Sequence, residues 1–473
     1  MQRDVTALTD NRFDLLIVGG GIYGAWVAWD AALRGLQVAL IDQGDFGHAT
    51  SANSLKTVHG GLRYLQDGDF GLVRLMIQER ATLLRVAPHL VHPLPCVMPT
   101  YARFMRSRWV MGAALTLNNL LSLDHNQLPD PQKRLPLGRL LSRADCLALL
   151  PGVADAGITG GACWYDAQMY NSERLTLAVV RSAAVQGAVV VNYVAAIGFL
   201  GTADQVTGIQ ARDQRSGAQF AVRARLVINA TGAGMNRLLG FLGKRAPGRP
   251  VPLSPAMNLV IRRRLLDCAA GVPSWPNGSG RDSQPSRLLF MAPWRAYTLI
   301  GTTHGHYRGS PDAFRVAAAD VAAFLTEINS AYPGAALTLG DVVHVHSGFL
   351  PAHPDQTSGV RLVRRSQVLD HQRTGGVAGL LSIVGVKYTS ARHAAQKAVD
   401  LALAKLGMAP VACRTHSTPL FGGRIDRFDH FLAVAMRTKP QSLSELSMRR
   451  LVYNYGDHHR NVLAPVDETG VDT

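Results

Sequence analysis

The stretch from Phe13 to Asp42, FDLLIVGGGIYGAWVAWDAALRGLQVALID, constrains the fold more than any other part of the chain, because the pieces of a dinucleotide-binding βαβ unit occur in it in order. Asp14 to Val18 reads as a buried parallel strand and Gly19, Gly21 and Gly24 form GxGxxG. Ala25 to Leu33 reads as a helix, and Val38 to Ile41 as a second strand ending in Asp42. Gly19 permits the tight turn, Gly21 lets a pyrophosphate approach the backbone, and Gly24 lets the helix lie close on the strand; Asp42 can accept a bond from ribose hydroxyls. The helix N-terminus adds free N–H groups and a partial positive charge for phosphates. A glycine-rich structural turn is the competing reading, and it leaves the placement of strand, helix and acid unexplained.

With 473 residues, 47% hydrophobic and 17% charged, the chain can form two or three domains around a large core. The five cysteines, Cys96, Cys146, Cys163, Cys268 and Cys413, are far apart and form no CxxC or Cys/His cluster of metal-ligand spacing. A reducing compartment and no metal site are therefore expected. The start, MQRDVTALTDNR, is polar and offers no apolar signal segment, so a cytoplasmic protein, or one facing the cytoplasm, is expected.

A formal charge of +16 favours anionic substrates, nucleic acid or anionic lipid headgroups. No nucleic-acid partner is expected, since the basic residues are scattered, with only short clusters at Arg262 to Arg264 and at Arg364 and Arg365. Arg103, Arg106 and Arg108 precede Trp109 and a mostly apolar run, Val110 to Leu123, too short and interrupted to span a bilayer. A helix lying in a membrane surface and a core helix with a solvated edge both fit this segment.

Further along, a polar loop, GDFGHATSANSLKTVHGGLRYLQ, leads into a helix from about Leu72 to Ala87 that ends at Pro88. Ser172 is placed to cap a second helix, which runs to Gly187 before the strand AVVVNY, and LVINATGAG reads as a strand ending in a small-residue turn. From about Pro247 to Ser347 short alternating strands (NLVIRR, AYTLIGTT), a Pro/Gly/Ser-rich loop from Gly271 to Ser286 and one helix from about Ala317 to Tyr332 suggest an antiparallel sheet with a covering helix. A strand to Val384, a turn at Gly385 and a helix from Thr389 to Leu406 return to the first domain, and residues from about Met408 form a short helical appendage.

GGGIYGA, ATSANSLKTVHGGLRYLQ, the ATG turn at Ala230 to Gly232, PW followed by IGTT (Pro293, Trp294, Ile300 to Thr303) and GVKYTSAR together resemble the FAD-dependent glycerol-3-phosphate dehydrogenases, within the glycine-oxidase and D-amino-acid-oxidase superfamily. The similarity runs to about Gly407, and HGGLRY, His59 to Tyr64, is its most specific piece. It implies an α/β fold: a Rossmann-like FAD-binding domain (1–90, 160–246, 348–407) interleaved with an antiparallel-sheet α+β substrate domain (91–159, 247–347), plus a short helical C-terminal appendage (408–473).

The resemblance places the ADP half of FAD on Gly19, Gly21, Gly24 and Asp42, with Thr50, Ser51 and Ser54 near the pyrophosphate and ribityl chain. Gly232 would line the cofactor, and Gly385, Val386, Lys387, Tyr388 and Thr389 would face the isoalloxazine. The implied reaction moves a hydride from a secondary alcohol carbon to flavin N5, with electrons passed to a quinone or to oxygen. His59 is the candidate base, since an imidazole changes charge near neutral pH; a histidine that only braces the loop is the alternative. Arg63 would hold an anionic substrate group, a surface ion pair being the alternative; Tyr64 would line the pocket and Lys387 would sit near flavin or substrate. The partners implied are a small anionic or hydroxylated substrate, a quinone and the anionic cytoplasmic face of a membrane, with the oligomeric state open.

The substrate half departs from this pattern. Where the family carries arginine in GVRP, this chain reads SGFLP, with Leu350 in that place; KGxH is replaced by SPAMN at Ser254 to Asn258, and an acidic residue after IGTT is His304. The appendage is also shorter than the family's helical cap. Arg295, His304, His306 and Arg361 are candidate replacement anchors, with His304 counted among the substrate-binding residues. Oxidation of glycerol 3-phosphate or a related compound is the first expectation. An oxidase or dehydrogenase of another alcohol or amine, and a flavin-binding protein without turnover, are the alternatives.

Overall fold

The computed structural model describes residues 2–102, 106–124, 127–243, 250–274, 287–353 and 360–469. In the first unit the strand Arg12–Val18 sits at the centre of a mainly parallel sheet, because its run Leu15 to Ile17 is buried on both faces and alternation is lost. It pairs in parallel with Gln219–Asn229 on one side (Leu15 opposite Leu226) and Val38–Ile41 on the other (Leu15 opposite Val38). Leu380–Val384 and Val189–Val191 extend the sheet in parallel, and Gln367–Asp370 closes one edge antiparallel. Helix Ile22–Leu33 stops at Arg34 and Gly35, the latter at φ 85°, which a glycine tolerates.

Helices Ile22–Leu33, Ser172–Val185 and Ala391–Lys405 pack side by side against one face of this sheet, around Trp26, Val179 and Ala395. The other face is covered by the antiparallel pair Val194–Gly201 and Val206–Asp213 and the short helix Met235–Gly240. The helix N-termini facing the strand ends are thereby left at one rim of the sheet.

A second sheet, mostly antiparallel, runs in the order Val342–Pro351, Leu253–Ile261, Tyr297–His304, Arg287–Trp294, Ala269–Ser274, Val91–Tyr101, Ile158–Met169 and Thr57–Val58. Helix Ala318–Ala331 covers one face through Val321, Phe324 and Ile328. Helix Arg108–Ser122 covers part of the other through Met111 and Leu115, against Trp164 and Phe290. The helices Phe428–Arg437, Glu445–Tyr455 and His459–Thr469 form a small C-terminal cluster around Met448 and Val452. The fold class is the expected one.

Two local expectations are corrected. The start of the loop expected from Gly271 to Ser286 is strand: Ala269–Ser274 is fully buried between two neighbours, and residues 275–286 lie outside the described residues. Ser172 does not cap its helix. Asn171 holds that position, and the Ser172 hydroxyl instead donates to Ala52 O (3.3 Å) and accepts from Lys56 Nζ (3.1 Å).

Candidate functional site

The glycine turn closes only without side chains. Gly19 has φ 108° and its N–H donates to Ile41 O at 2.8 Å. A β-carbon there would lie 2.7 Å from Ala230 O, and one at Gly24 would lie 1.9 Å from Gly19 O. Helix Ile22–Leu33 starts from Gly21 with no side-chain cap and no acid in its first turn. Its N-terminus therefore keeps its positive end for an anion. Ser51 Oγ accepts the Ile22 N–H at 3.0 Å, bringing the loop after the second strand alongside that end.

Thr50 Oγ1 accepts the Phe349 N–H (3.3 Å) and Ser54 Oγ accepts the Lys56 N–H (3.2 Å), which fixes the rest of the same loop. Gly232 has φ 57°, and a β-carbon on it would meet no atom within 4 Å, so space lies open beside the ATG turn. Asp42 is buried and accepts N–H groups from Gly20 (2.7 Å) and Gly44 (2.8 Å). Burial raises its pKa against these bonds. It braces the turn and retains lone pairs for a ribose hydroxyl. These groups fit the ADP half of a dinucleotide.

At the far end, Gly385 follows the strand Leu380–Val384, and a β-carbon on it would lie 2.5 Å from the Tyr23 ring. Val386 and Lys387 donate their N–H groups to the Tyr23 hydroxyl (2.9 and 3.0 Å). Tyr388 turns its hydroxyl to Ser172 O (2.8 Å) and Thr176 Oγ1 (3.0 Å), on the neighbouring helix, and Thr389 is buried.

His59 precedes two glycines, at the first of which a side chain would push the Arg80 guanidinium away from Asp166. A β-carbon on Gly60 would lie 2.1 Å from Arg80 Nη1, and Gly61 has φ 83°. His59 Nδ1 lies 3.0 Å from Asp166 Oδ2, while Asp166 Oδ1 accepts the Gly60 N–H (2.7 Å) and Arg80 Nη1 (2.8 Å). Burial alone would raise the Asp166 pKa. The hydrogen bond and charge of His59, the charge of Arg80 and the Gly60 N–H outweigh it and hold the carboxyl at about 2. An ionised carboxylate can only accept, so Nδ1 carries a proton toward Asp166, and in the neutral form of the ring the lone pair is on Nε2. The ring packs edge-on against Phe290 (5.0 Å) and its side chain stays 43% exposed, so Nε2 can be reached.

The turn of helix Leu62–Asp67 then presents Arg63, exposed, and Tyr64, buried. The Arg63 guanidinium and Lys387 Nζ lie 5.2 and 5.0 Å from the Tyr64 ring centroid. Lys387 also donates to Arg364 O. Burial first, then the charges of Arg63, Arg365 and Arg364, lower its pKa to about 8. Arg364 pairs with Asp67 (3.0 Å) and Arg365 with Asp69 (2.5 Å), so these cations gather around the HGGLRY loop. His304 lies within the influence of Arg287 and Arg63; desolvation and these two charges lower its pKa to about 4, leaving it neutral at pH 7.

The three departures in the substrate half fall in one corner of the second sheet. Leu350 sits opposite Ser254, Ala256 opposite His304, and Ser254 Oγ donates to Gly305 O (2.9 Å). Asn258 Oδ1 accepts the Thr302 hydroxyl at 2.7 Å in the same strand pair. Arg295 is elsewhere. It occupies the hairpin turn at the other end of Tyr297–His304, bonded to Asn171 and stacked over Tyr170 (4.3 Å) and Trp294 (4.8 Å).

Sequence reasoning missed Asp166, Arg80, Phe290 and Tyr23. Arg80 had a signal: with Leu72, Met76 and Leu84 it falls on the apolar stripe of helix Phe70–Val86, where a charge needs a buried partner.

From residue 14 to residue 401 the chain matches the profile of the family described as FAD dependent oxidoreductase. It is 33% identical to a glycerol-3-phosphate dehydrogenase of Synechocystis sp., over 98% of this chain and 83% of that protein. A glycerol-3-phosphate dehydrogenase of Mycobacterium leprae is 31% identical over 96% of this chain and 74% of its own length. The structure superposes on the glycerol-3-phosphate dehydrogenase from Bacillus halodurans complexed with FAD, with a TM-score of 0.77 and 25% identity, covering 99% of this chain and 82% of that one. Profile, relatives and glycine-turn geometry agree: this chain is an enzyme of the FAD-dependent oxidoreductase family, with FAD as its cofactor.

Proposed function

We propose that the enzyme oxidises the secondary hydroxyl of sn-glycerol 3-phosphate, giving dihydroxyacetone phosphate. The observation that carries this reading is the His59–Asp166–Arg80 chain, at 3.0 and 2.8 Å, anchored in the same HGGLRY segment that presents Arg63. FAD, when bound, supplies the hydride acceptor. His59 takes the hydroxyl proton at Nε2, and anionic Asp166 orients the ring and stabilises the imidazolium that forms. Arg80 and the Gly60 N–H keep Asp166 ionised and in place. Arg63 pairs the phosphate oxygens through its planar fork, and Lys387, mostly charged at neutral pH, adds a second cation. Tyr64 walls the pocket, and neutral His304 offers a hydrogen bond without charge. Thr50, Ser51, Ser54, Gly232 and residues 385 to 389 hold the cofactor. The domain division at 90, 160, 247, 348 and 408 belongs to the same proposal.

The test is product formation. Holoenzyme given sn-glycerol 3-phosphate and an artificial acceptor should yield dihydroxyacetone phosphate, and its absence would reject this substrate. A second reading, oxidation of a different alcohol or an amine, is favoured by the clustered changes at Leu350, Ser254 and His304, which place a leucine where the family holds an arginine.

The electron acceptor we propose is a membrane quinone, oxygen being the alternative, with the protein held at the cytoplasmic face of an anionic membrane. No helix among the described residues is long and apolar enough to cross a bilayer. Helix Arg108–Ser122 buries Met111 and Leu115, while Trp109, Ala113, Thr116 and Leu120 of the helix and Leu123 just beyond it form an uncharged exposed stripe, Trp109 at 88% exposure. This supports a helix lying in the interface. Vesicles containing anionic lipid should co-float wild type at low salt and release Trp109→Glu; equal flotation of both proteins would remove this helix as the anchor.

A further inference from the structure

Tyr23 stands between Gly21 and Gly24, yet its side chain reaches the opposite end of the sequence. Its hydroxyl oxygen lies 2.9 Å from Val386 N, 3.0 Å from Lys387 N, 2.8 Å from Lys387 O and 2.8 Å from Ser366 Oγ. A phenol has one proton and two acceptor sites, so both backbone N–H groups can be received while the proton goes to Lys387 O or Ser366. The ring fits because residue 385 is glycine: a β-carbon there would lie 2.5 Å from it.

Three stretches meet at this one hydroxyl. One is the helix that opens the dinucleotide site. The second is the segment ending in Ser366, whose Arg364 and Arg365 cross to Asp67 (3.0 Å) and Asp69 (2.5 Å), just after HGGLRY. The third is the turn carrying Lys387, whose Nζ donates to Arg364 O and lies 5.0 Å from the Tyr64 ring centroid. Arg63 lies over the same ring at 5.2 Å. The position of Lys387 and of the two arginines relative to Arg63 is thus referred back to the cofactor-binding helix through a single oxygen atom.

We propose that Tyr23 is a positioning residue: its hydroxyl holds Lys387 and the Arg364–Ser366 segment opposite Arg63 and thereby sets the affinity of the site for a phosphate-bearing substrate. This rests on the reading, given above, that these cations receive the anionic group. Loss of the hydroxyl leaves the Lys387 N–H without its acceptor and the Val386 N–H with only Ser366 Oγ, at 3.4 Å, which frees the turn so that the ammonium and the guanidinium groups no longer converge.

The experiment titrates inorganic phosphate into the oxidised holoenzyme between pH 6.5 and 9.5, followed by flavin absorbance, for wild type, Tyr23→Phe and Ser366→Ala. Tyr23→Phe should retain FAD and bind phosphate about tenfold more weakly at neutral pH, in line with the loss of one buried hydrogen-bonding group. Ser366→Ala should weaken binding in the same direction by a smaller factor. The Lys387 ammonium faces Arg63, Arg364, Arg365, Asp69 and the Tyr64 ring. Released toward water, it titrates nearer its usual 10.5, so the alkaline midpoint of phosphate binding should rise from about 8. A purely structural tyrosine would lower thermal stability and leave both the phosphate affinity and this midpoint unchanged, and that result overturns the proposal. If Tyr23→Phe fails to hold FAD, Ser366→Ala decides: unchanged phosphate binding in it is equally fatal. Wild type that binds no phosphate overturns the anion site itself. Wild type that binds phosphate but is not reduced by glycerol 3-phosphate rejects that substrate and leaves the positioning role standing.

Discussion

Replacing Asp166 with Asn keeps the shape of the side chain and removes its charge. The carboxylate accepts from His59 Nδ1 (3.0 Å), the Gly60 N–H (2.7 Å) and Arg80 Nη1 (2.8 Å), with the Trp164 indole N–H at 3.4 Å. An amide has one acceptor oxygen, so one of its N–H groups must oppose a donor. A carboxyl held at about 2 instead of its usual 3.8 corresponds to on the order of 2 kcal/mol of preference for the charged form. A charge-assisted bond is worth a similar ~1.5–3 kcal/mol, and that is what supports the imidazolium as His59 takes a proton. Anaerobic stopped-flow reduction of the flavin by sn-glycerol 3-phosphate should therefore slow roughly 10- to 100-fold in Asp166→Asn. The effect on stability has a defined sign. A carboxyl with a lowered folded pKa contributes fully above its usual 3.8 and loses that contribution as pH falls toward about 2. The gap in unfolding free energy between wild type and variant should be flat above about pH 5 and narrow below it. Flavin reduction within twofold of wild type, in a variant that retains FAD, would refute the assignment of His59 and Asp166 as an acid–base pair.

Other outcomes test neighbouring parts of the structure. In the wild type kcat/KM for glycerol 3-phosphate should fall as pH rises through about 8, where Lys387 loses its proton, and Lys387→Arg should abolish that limb because arginine does not titrate there. Gly24→Ala places a β-carbon 1.9 Å from Gly19 O, so purified protein should carry little FAD and lose about 3 kcal/mol of stability, the upper end of the usual overpacking cost, measured by flavin content and urea unfolding. Glu79 and Arg392 form a fully buried pair at 2.5 Å; Glu79→Leu leaves the guanidinium uncompensated and should cost ~3–5 kcal/mol in the same unfolding assay.

The parts of the enzyme that could be read from the chain are those built from neighbouring residues. The βαβ unit from Phe13 to Asp42 is local: strand, turn, helix and acid are each fixed by residue type and period, and the structure departs from the reading only at element ends. His59 and Arg63 were singled out through the resemblance carried by HGGLRY, and the structure brings His59 against Asp166 and Arg63 over Tyr64. What was hidden is long-range pairing. Asp166 lies 107 residues from His59 and Tyr23 lies 363 residues from Val386; no periodicity specifies which strand brings them together. Arg295 looked available as an anchor because its chemistry suited the task, but the hairpin register puts it at the wrong end of its strand. The same register gathers Leu350, Ser254 and His304 into one corner, turning three scattered substitutions into a single altered surface.

The most direct measurement is the visible flavin spectrum of the purified holoenzyme under anaerobic conditions, before and after adding sn-glycerol 3-phosphate. Rapid bleaching is the expected result, since His59 then addresses the secondary hydroxyl and the cations about Arg63 the phosphate of one substrate. A spectrum that stays oxidised with glycerol 3-phosphate but bleaches with another alcohol or an amine would contradict it.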